Sequence, residues 1–293
     1  MKRTVTAEAP CKLNLHLRVR ERRNDGYHSI ESIFQQISLS DTLTVSLDGN
    51  RGGCSVVCPG FDLPEVNTVS KAVEQFRIAT GITDGIAIRL DKRIPAGAGL
   101  GGGSTDAACV LRCLDELFSA GLGASALLSM AEKIGSDVPF FLTGGAAIVE
   151  GRGEVITPIQ SRTDLFGVLV WPDIHSSTAE AYRLVDEWIE QGGEQDVDWP
   201  DVRSLQSVYE SSPRIWNFRN SFEVLVGRRY PEICSLIDRF KVSGASFAAM
   251  TGSGSTVFGL YDDPVQADLA QELFSAGPGC CLNFLLLASP TMQ

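Results

Sequence analysis

The chain has 293 residues, 44% of them hydrophobic and 21% charged, which predicts one large or two medium domains with an ordinary core. A formal net charge of −11 repels nucleic acid and anionic membranes, so neither is expected as a partner, and any phosphate site has to be made locally. No apolar run approaches the roughly 18 residues of a membrane span, and the first eight residues hold no signal-peptide core.

The eight cysteines are Cys11, Cys54, Cys58, Cys109, Cys113, Cys234, Cys280 and Cys281. In a long chain without a leader they read as reduced thiols, and a cytoplasmic protein is expected. Cys109 and Cys113 are four apart in an apolar helical pattern and read as core. Cys54 and Cys58 lack the second pair that a zinc site needs.

Residues 11–19 alternate, with Leu13, Leu15, Leu17 and Val19 on one face and Lys12, Asn14, His16 and Arg18 on the other. The pattern predicts a half-buried strand. Asp25-Gly26 marks a turn. Separate strands are predicted over 31–38 and 42–47, a helix opening at Asn67, and a strand over 85–91. A glycine loop follows, then a helix from about Ser104 to Phe118, a short helix near 125–133 and a second apolar helical turn or strand after Pro139. Strands are expected at 145–150 and 165–171, a helix at 178–190, an acidic surface loop at 191–198 and helices at 219–229 and 231–240. A second glycine loop, Gly252-Ser253-Gly254, precedes a strand at 256–260, and Asp263-Pro264 opens a last helix. Composition changes little along the chain, so a boundary near 160 is drawn from the order of elements alone.

The richest local signal is Pro95-Ala96-Gly97-Ala98-Gly99-Leu100-Gly101-Gly102-Gly103-Ser104-Thr105-Asp106. A polyphosphate needs several backbone N–H groups aimed at one place, and glycine removes the side chains that would obstruct them. Ser104 is expected to cap the following helix, whose free amides and dipole add partial positive charge, and Lys92 and Arg93 can supply full charge. The bland alternative is a flexible turn. Gly97, Gly99 and Gly102 also match GxGxxG, but Lys92 to Pro95 separate the loop from the strand and Glu116 lies inside the helix, unlike a dinucleotide fold. No lysine follows the glycines, so the Walker pattern is absent.

Three segments in order resemble the GHMP kinase superfamily: Ala9 to Leu15, Pro95 to Thr105, and Met250 to Phe258. Arg23 to Ile30, Phe34, Asp41-Thr42-Leu43, Ile134 to Phe141 and Glu150 to Glu154 extend the likeness to the members that act in the non-mevalonate isoprenoid pathway. The resemblance implies an α+β fold of two domains. One is like ribosomal protein S5 domain 2 and binds ATP (1–160); the other is ferredoxin-like and binds substrate (161–293), with ATP in the cleft between. It implies phosphorylation by ATP, with Mg2+, of the 2-hydroxyl of a cytidine-diphosphate-linked methylerythritol. A monomer or weak homodimer is expected, a state the sequence itself does not give. Cys11 stands where the family has a small residue, most often alanine, and His16 where an apolar residue is common.

Phosphoryl transfer needs positioning, charge neutralisation and an oriented nucleophile. The family pattern puts the catalytic aspartate at Asp137, which by sequence alone reads as a plain helix N-cap. Lys12 is its partner, holding Asp137 ionised and neutralising the hydroxyl or γ-phosphate; alone it reads as a solvated strand lysine. Asn14 binds substrate or fixes Lys12. Tyr27 would stack on cytosine and His28 hydrogen-bond its edge. Tyr182 is a second stacking ring or a core tyrosine, Thr178 a phosphate or substrate contact, and Phe34 a pocket wall or core. Asn67 and Thr68 resemble adenine contacts, although Asn67 also fits a helix cap. Nucleotide contacts are expected from Lys92, Pro95, Gly97, Gly99, Leu100, Gly101, Gly102, Gly103, Ser104 and Thr105. Mg2+ leans on phosphates and water, and Ser104 is its one candidate ligand. The second glycine loop is expected to pack against the first, or to be a turn only. Competing readings are a homoserine or mevalonate kinase, which has no base for Tyr27 to stack on, a ligand sensor without catalysis, and a dehydrogenase.

Overall fold

The structure, a computed structural model, describes residues 3–174 and 176–289. Two compact units interleave along the chain. One takes residues up to Cys11, Leu39–Ala96 and Gly101–Thr143; the other takes Lys12–Ser38, Gly97–Leu100 and the chain from Gly144 on. Two long paired strands, β1 (Thr4–Arg22) and β2 (His28–Arg51), contribute to both, and the expected Asp25-Gly26 turn joins them, with Gly26 at φ +85°. Strand β2 is continuous where two strands were expected. Asp41, which reads as a polar break, is fully buried and accepts the amides of Arg93 (2.5 Å) and Ile94 (2.8 Å), so the strand runs on through it.

In the first unit β2 pairs antiparallel with β4 (Asp84–Asp91), Thr42 facing Asp91, and β3 (Cys54–Val57) runs parallel to β4. Helices α1 (Thr68–Thr80), α2 (Gly102–Phe118), α3 (Ala124–Ile134) and α4 (Val138–Thr143) pack on one another. Asn67 caps α1 in a reciprocal box with Ser70. Helix α2 is buried at Ala107, Ala108, Val110, Leu111, Cys113, Leu114 and Leu117, so its packing anchors whatever its N-terminus presents. Each such leucine adds roughly 1.5–3 kcal/mol over an exposed one. Cys109 and Cys113 sit in this core with sulfurs 3.9 Å apart, and the cysteines are free thiols.

In the second unit β2 pairs with β5 (Ala146–Gly151), and β5 with β6 (Val155–Ile159). A separate antiparallel sheet has the order β10-β7-β9-β8, made of β7 (Phe166–Trp171), β8 (Phe247–Met250), β9 (Val257–Tyr261) and β10 (Cys280–Leu285). Helices α5 (Thr178–Glu190), α6 (Leu205–Glu210), α7 (Ser221–Arg229), α8 (Pro231–Val242) and α9 (Pro264–Ser275) complete it; α8 lies on β8 and β9, and α9 on β7, β9 and β10.

Two expectations change. The strand over 11–19 is buried on both faces from Cys11 to Leu17, because the polar face of β1 is covered and its side chains bond within the protein. The acidic stretch 191–198 is not a plain surface loop. Its Glu194 turns inward to accept from Arg18 (2.6 and 2.9 Å) and Arg20 (3.0 Å), and Arg18 lies 5.2 Å over the Trp199 ring.

Candidate active site

The first glycine loop has Gly97, Gly99 and Gly101 at φ +68°, +77° and +73°. Only glycine adopts this freely, and left-handed residues at alternate positions turn successive amides toward one side. The loop is fastened by its neighbours. Lys12 N–H donates to Leu100 O (3.1 Å), and the Thr251 hydroxyl accepts from Asn14 N–H (2.9 Å) while donating to Gly99 O (3.4 Å). A Cβ on Gly99 would stand 2.3 Å from Thr251 O, and one on Gly252 2.9 Å from Gly99 Cα, so the two glycine loops do touch, as expected. Asn220 Nδ2 clamps the second loop by donating to Met250 O (2.8 Å) and Gly252 O (2.9 Å).

Lys12 is 4% exposed, which excludes the solvated reading. Its ammonium donates to Asn14 Oδ1 and to Gly99 O (3.3 Å) and lies 4.6 Å over the Phe34 ring. Phe34 is thus both core and the floor beneath this cation. Asn14 Nδ2 donates to Ser32 Oγ (3.1 Å), and Ser32 donates to His16 O. Asn14 therefore fixes Lys12 and is itself fixed.

Helix α2 starts two residues earlier than expected. Gly101 is its N-cap, and Ser104 lies in the first turn with its N–H on Gly101 O (3.0 Å). The glycines join the helix because neighbours press on that turn: a Cβ on Gly102 would meet Ile94 Cγ2 at 3.1 Å and Lys92 Nζ at 3.2 Å, and one on Gly103 would meet Thr68 Oγ1 at 3.2 Å. The Thr105 hydroxyl donates to Pro10 O (2.8 Å). Lys92 is bonded to Asp41 and to Asp106 (3.0 Å), so its charge is shared with two acids. Burial works to lower the Lys92 pKa, and Asp106 and Asp41 together outweigh it and raise it. Burial, with Asp41 beside it, pushes the Asp106 carboxyl up to about 7 against the pull of Lys92. Asp106 Oδ1 is buried with no hydrogen-bond partner among the described residues.

Asp137 is half-buried and directly precedes α4. Asn67 has both ends of its amide engaged, with Ser70 N–H (3.0 Å) and Pro64 O (2.8 Å), and Thr68 follows it beside Gly103.

His28 is buried against α5. Its Nε2 is 2.6 Å from Asp186 Oδ1, and its ring stacks on Tyr182 at 4.9 Å and 27°. Tyr182 rests edge-on against Phe222 at 5.0 Å. Tyr27 is exposed, with the Arg152 guanidinium 5.0 Å over its ring. Thr178 and Ser253 hydroxyls are 2.9 Å apart, which ties the start of α5 to the second glycine loop. Lys12, Asn14, Phe34 and the Gly99-Leu100 stretch of the first glycine loop thus form one cluster, and His28 and Tyr182 another. Ser32, Thr251, Asp41 and Asp186 were not singled out as site residues. Thr251 and Asp41 sit inside segments that carried the resemblance, and Asp186 lies four residues after Tyr182, hence on the same helix face, which is the one signal it offered.

The GHMP kinases N terminal domain family matches residues 67–145, and the GHMP kinases C terminal family matches 201–277. The chain belongs to the GHMP kinases, and its two-unit α+β structure has their fold. It is 43% identical to 4-diphosphocytidyl-2-C-methyl-D-erythritol kinase of Treponema pallidum over 277 residues, 93% of this chain and 95% of that one. A crystal structure of 4-(cytidine 5'-diphospho)-2C-methyl-D-erythritol kinase matches with TM-score 0.80 and 34% identity, over 96% of this chain and 99% of that one. Within the GHMP kinases this chain falls in the family of 4-diphosphocytidyl-2-C-methyl-D-erythritol kinases. Homoserine kinase of Cytophaga hutchinsonii, TM-score 0.74 at 18% identity over 99% of this chain and 96% of that one, shares the fold alone.

Proposed function

We propose that the protein transfers the γ-phosphoryl group of ATP to the 2-hydroxyl of 4-diphosphocytidyl-2-C-methyl-D-erythritol. The substrate oxygen bonds to the γ-phosphorus, the bond from phosphorus to the β–γ bridging oxygen breaks, the hydroxyl proton leaves, and ADP departs. The observation that carries this reading is the buried Lys12 ammonium held against Gly99 O of the phosphate loop. A cation fixed there costs no reorganisation when charge develops on the transferring group.

In this reading the amides of Gly97, Gly99, Leu100, Gly101, Gly102 and Gly103, with Ser104 and Thr105 in the first turn of α2, bind the triphosphate. The glycine cradle fits the nucleotide, because the left-handed Gly97, Gly99 and Gly101 put no side chain over the loop's amides. Pro95 and Lys92 shape the entry to the loop, Lys92 as a buried ion-paired post and not as a free charge. Asn67 and Thr68, beside Gly103, take the adenosine side. Asp137 orients the hydroxyl and accepts its proton, and Lys12, fixed by Asn14, neutralises the hydroxyl or the γ-phosphate. Thr178 faces the substrate from the start of α5, and Tyr27, His28 and Tyr182 hold the cytosine. The Ser104 hydroxyl would hold Mg2+ brought in with the nucleotide, which would neutralise phosphate oxygens. Among the described residues no helix is long and apolar enough to cross a membrane, and the free thiols favour a cytoplasmic setting.

The test is ATP consumption with the cytidine-linked methylerythritol, with mevalonate and with homoserine. Turnover is expected with the first alone. Faster turnover of mevalonate or homoserine would overturn the assignment.

A further inference from the structure

His28 is a side chain of the proposed base site whose hydrogen-bonding character is set by another residue, Asp186. Asp186 and Tyr182 stand one turn apart on α5 and both meet it: Tyr182 lies under its ring, and Asp186 Oδ1 reaches Nε2 at 2.6 Å. An ionised carboxylate can only accept, so the proton of this bond resides on Nε2. In neutral imidazole the other nitrogen, Nδ1, then presents a lone pair. Among the described residues Nδ1 has no hydrogen-bond partner, and it is not sealed in the interior.

We infer that Asp186 decides which base is accepted, by fixing His28 in the Nε2–H form so that Nδ1 accepts a hydrogen bond from an exocyclic amine. The inference rests on the cytidine-binding reading above. Cytosine carries such a donor at position 4, whereas uracil carries a carbonyl oxygen there, and two acceptors facing each other repel. A partner of Nδ1 lies near the imidazole plane. The Tyr182 ring is within 27° of that plane, so a base bonded to Nδ1 continues the stack that His28 begins. Asp186 never touches the substrate; it is a positioning residue.

The experiment measures binding of CMP and UMP to the full chain by calorimetry, with the ring nitrogens of His28 followed by 15N NMR. Wild type is expected to prefer CMP about 10- to 100-fold, the usual effect of leaving a built acceptor unmatched. Its His28 should show the Nε2-protonated pattern, with Nδ1 shifting when CMP binds. Asp186→Ala should cut the preference to within about threefold and mix the two tautomers; with the cytidine-linked substrate the loss should fall on KM far more than on kcat. A preference retained in Asp186→Ala, or a wild-type His28 protonated on Nδ1, overturns the inference. The wild-type spectrum decides the tautomer even if the variant folds poorly. Turnover of the cytidine-linked substrate is scored apart: CMP preference without turnover sinks the kinase reading alone, and turnover without CMP preference sinks this inference alone.

Discussion

Gly99 and Gly252 lie against each other, and neither leaves room for a side chain. A Cβ on Gly252 would be 2.9 Å from Gly99 Cα, and one on Gly99 would be 2.3 Å from the carbonyl oxygen of Thr251. The contact fixes the first glycine loop on the Met250–Gly254 loop, which Asn220 holds in turn. Gly99→Ala therefore adds a backbone clash to the roughly 1–2 kcal/mol of a left-handed alanine. We expect a lowered urea midpoint and a KM for ATP raised about tenfold or more. Gly103→Ala, whose nearest neighbour is the Thr68 hydroxyl at 3.2 Å, should do far less. Equal effects of the two substitutions would remove the argument for a tight loop–loop contact.

Lys12→Met should reduce kcat by about 100- to 1,000-fold, the usual loss when one preorganised charge is removed from a transition state. ATP affinity should move much less, because the amides of the loop remain. Asp137→Asn should act alike, and the double variant should be little worse than either alone, since groups that act as a unit are not additive. Strictly additive losses in single-turnover assays would show that the two residues act independently.

The Asp41–Lys92–Asp106 cluster holds one cation and two acids away from water. Removing the cation leaves buried carboxylates uncompensated, so Lys92→Met should cost about 3–5 kcal/mol in urea unfolding at pH 8. Asp106 behaves oppositely. Its carboxyl is raised to about 7 in the folded protein, from an ordinary 3.8, so the folded state binds the extra proton. That contribution to stability is present at low pH and is lost as pH rises through 7. Asp106→Asn should consequently be at least as stable as wild type at pH 8, with its advantage vanishing toward pH 4.

His16 titrates with the opposite sign. Burial first, and then the Arg18 charge, lower its pKa from 6.5 to about 3, and it stays neutral with Nδ1 accepting from Arg219 N–H at 3.2 Å. The unfolded chain takes up the proton that the folded one refuses. Stability from this group is full above pH 6.5 and falls as pH drops toward 3, at up to about 1.4 kcal/mol per pH unit. Between pH 4 and 6.5 this slope opposes that of Asp106. His16→Leu should make stability decline more steeply as pH rises through that window, and Asp106→Asn should reverse the trend. Parallel pH profiles of the two variants would contradict both assignments.

What the residues announce by themselves is whatever is local. Five glycines between Gly97 and Gly103 point to a backbone that comes close to something, and the alternation over 11–19 points to a strand. The roles given to Lys12, Asp137 and the Tyr27-His28 turn come from the family resemblance their segments carry, since alone Lys12 reads as a solvated strand lysine and Asp137 as a helix cap. The tertiary structure alone decided what covers each face. A polar strand face looks the same in sequence whether water or protein lies over it, and Lys12, Asn14 and His16 are buried because Thr251, Ser32 and Arg219 come to meet them. Asn14 and Thr251 are 237 positions apart, Lys92 and Asp41 are 51 apart, and His28 and Asp186 are 158 apart. Pairings at such separations follow from packing of the whole chain, and no short pattern encodes them.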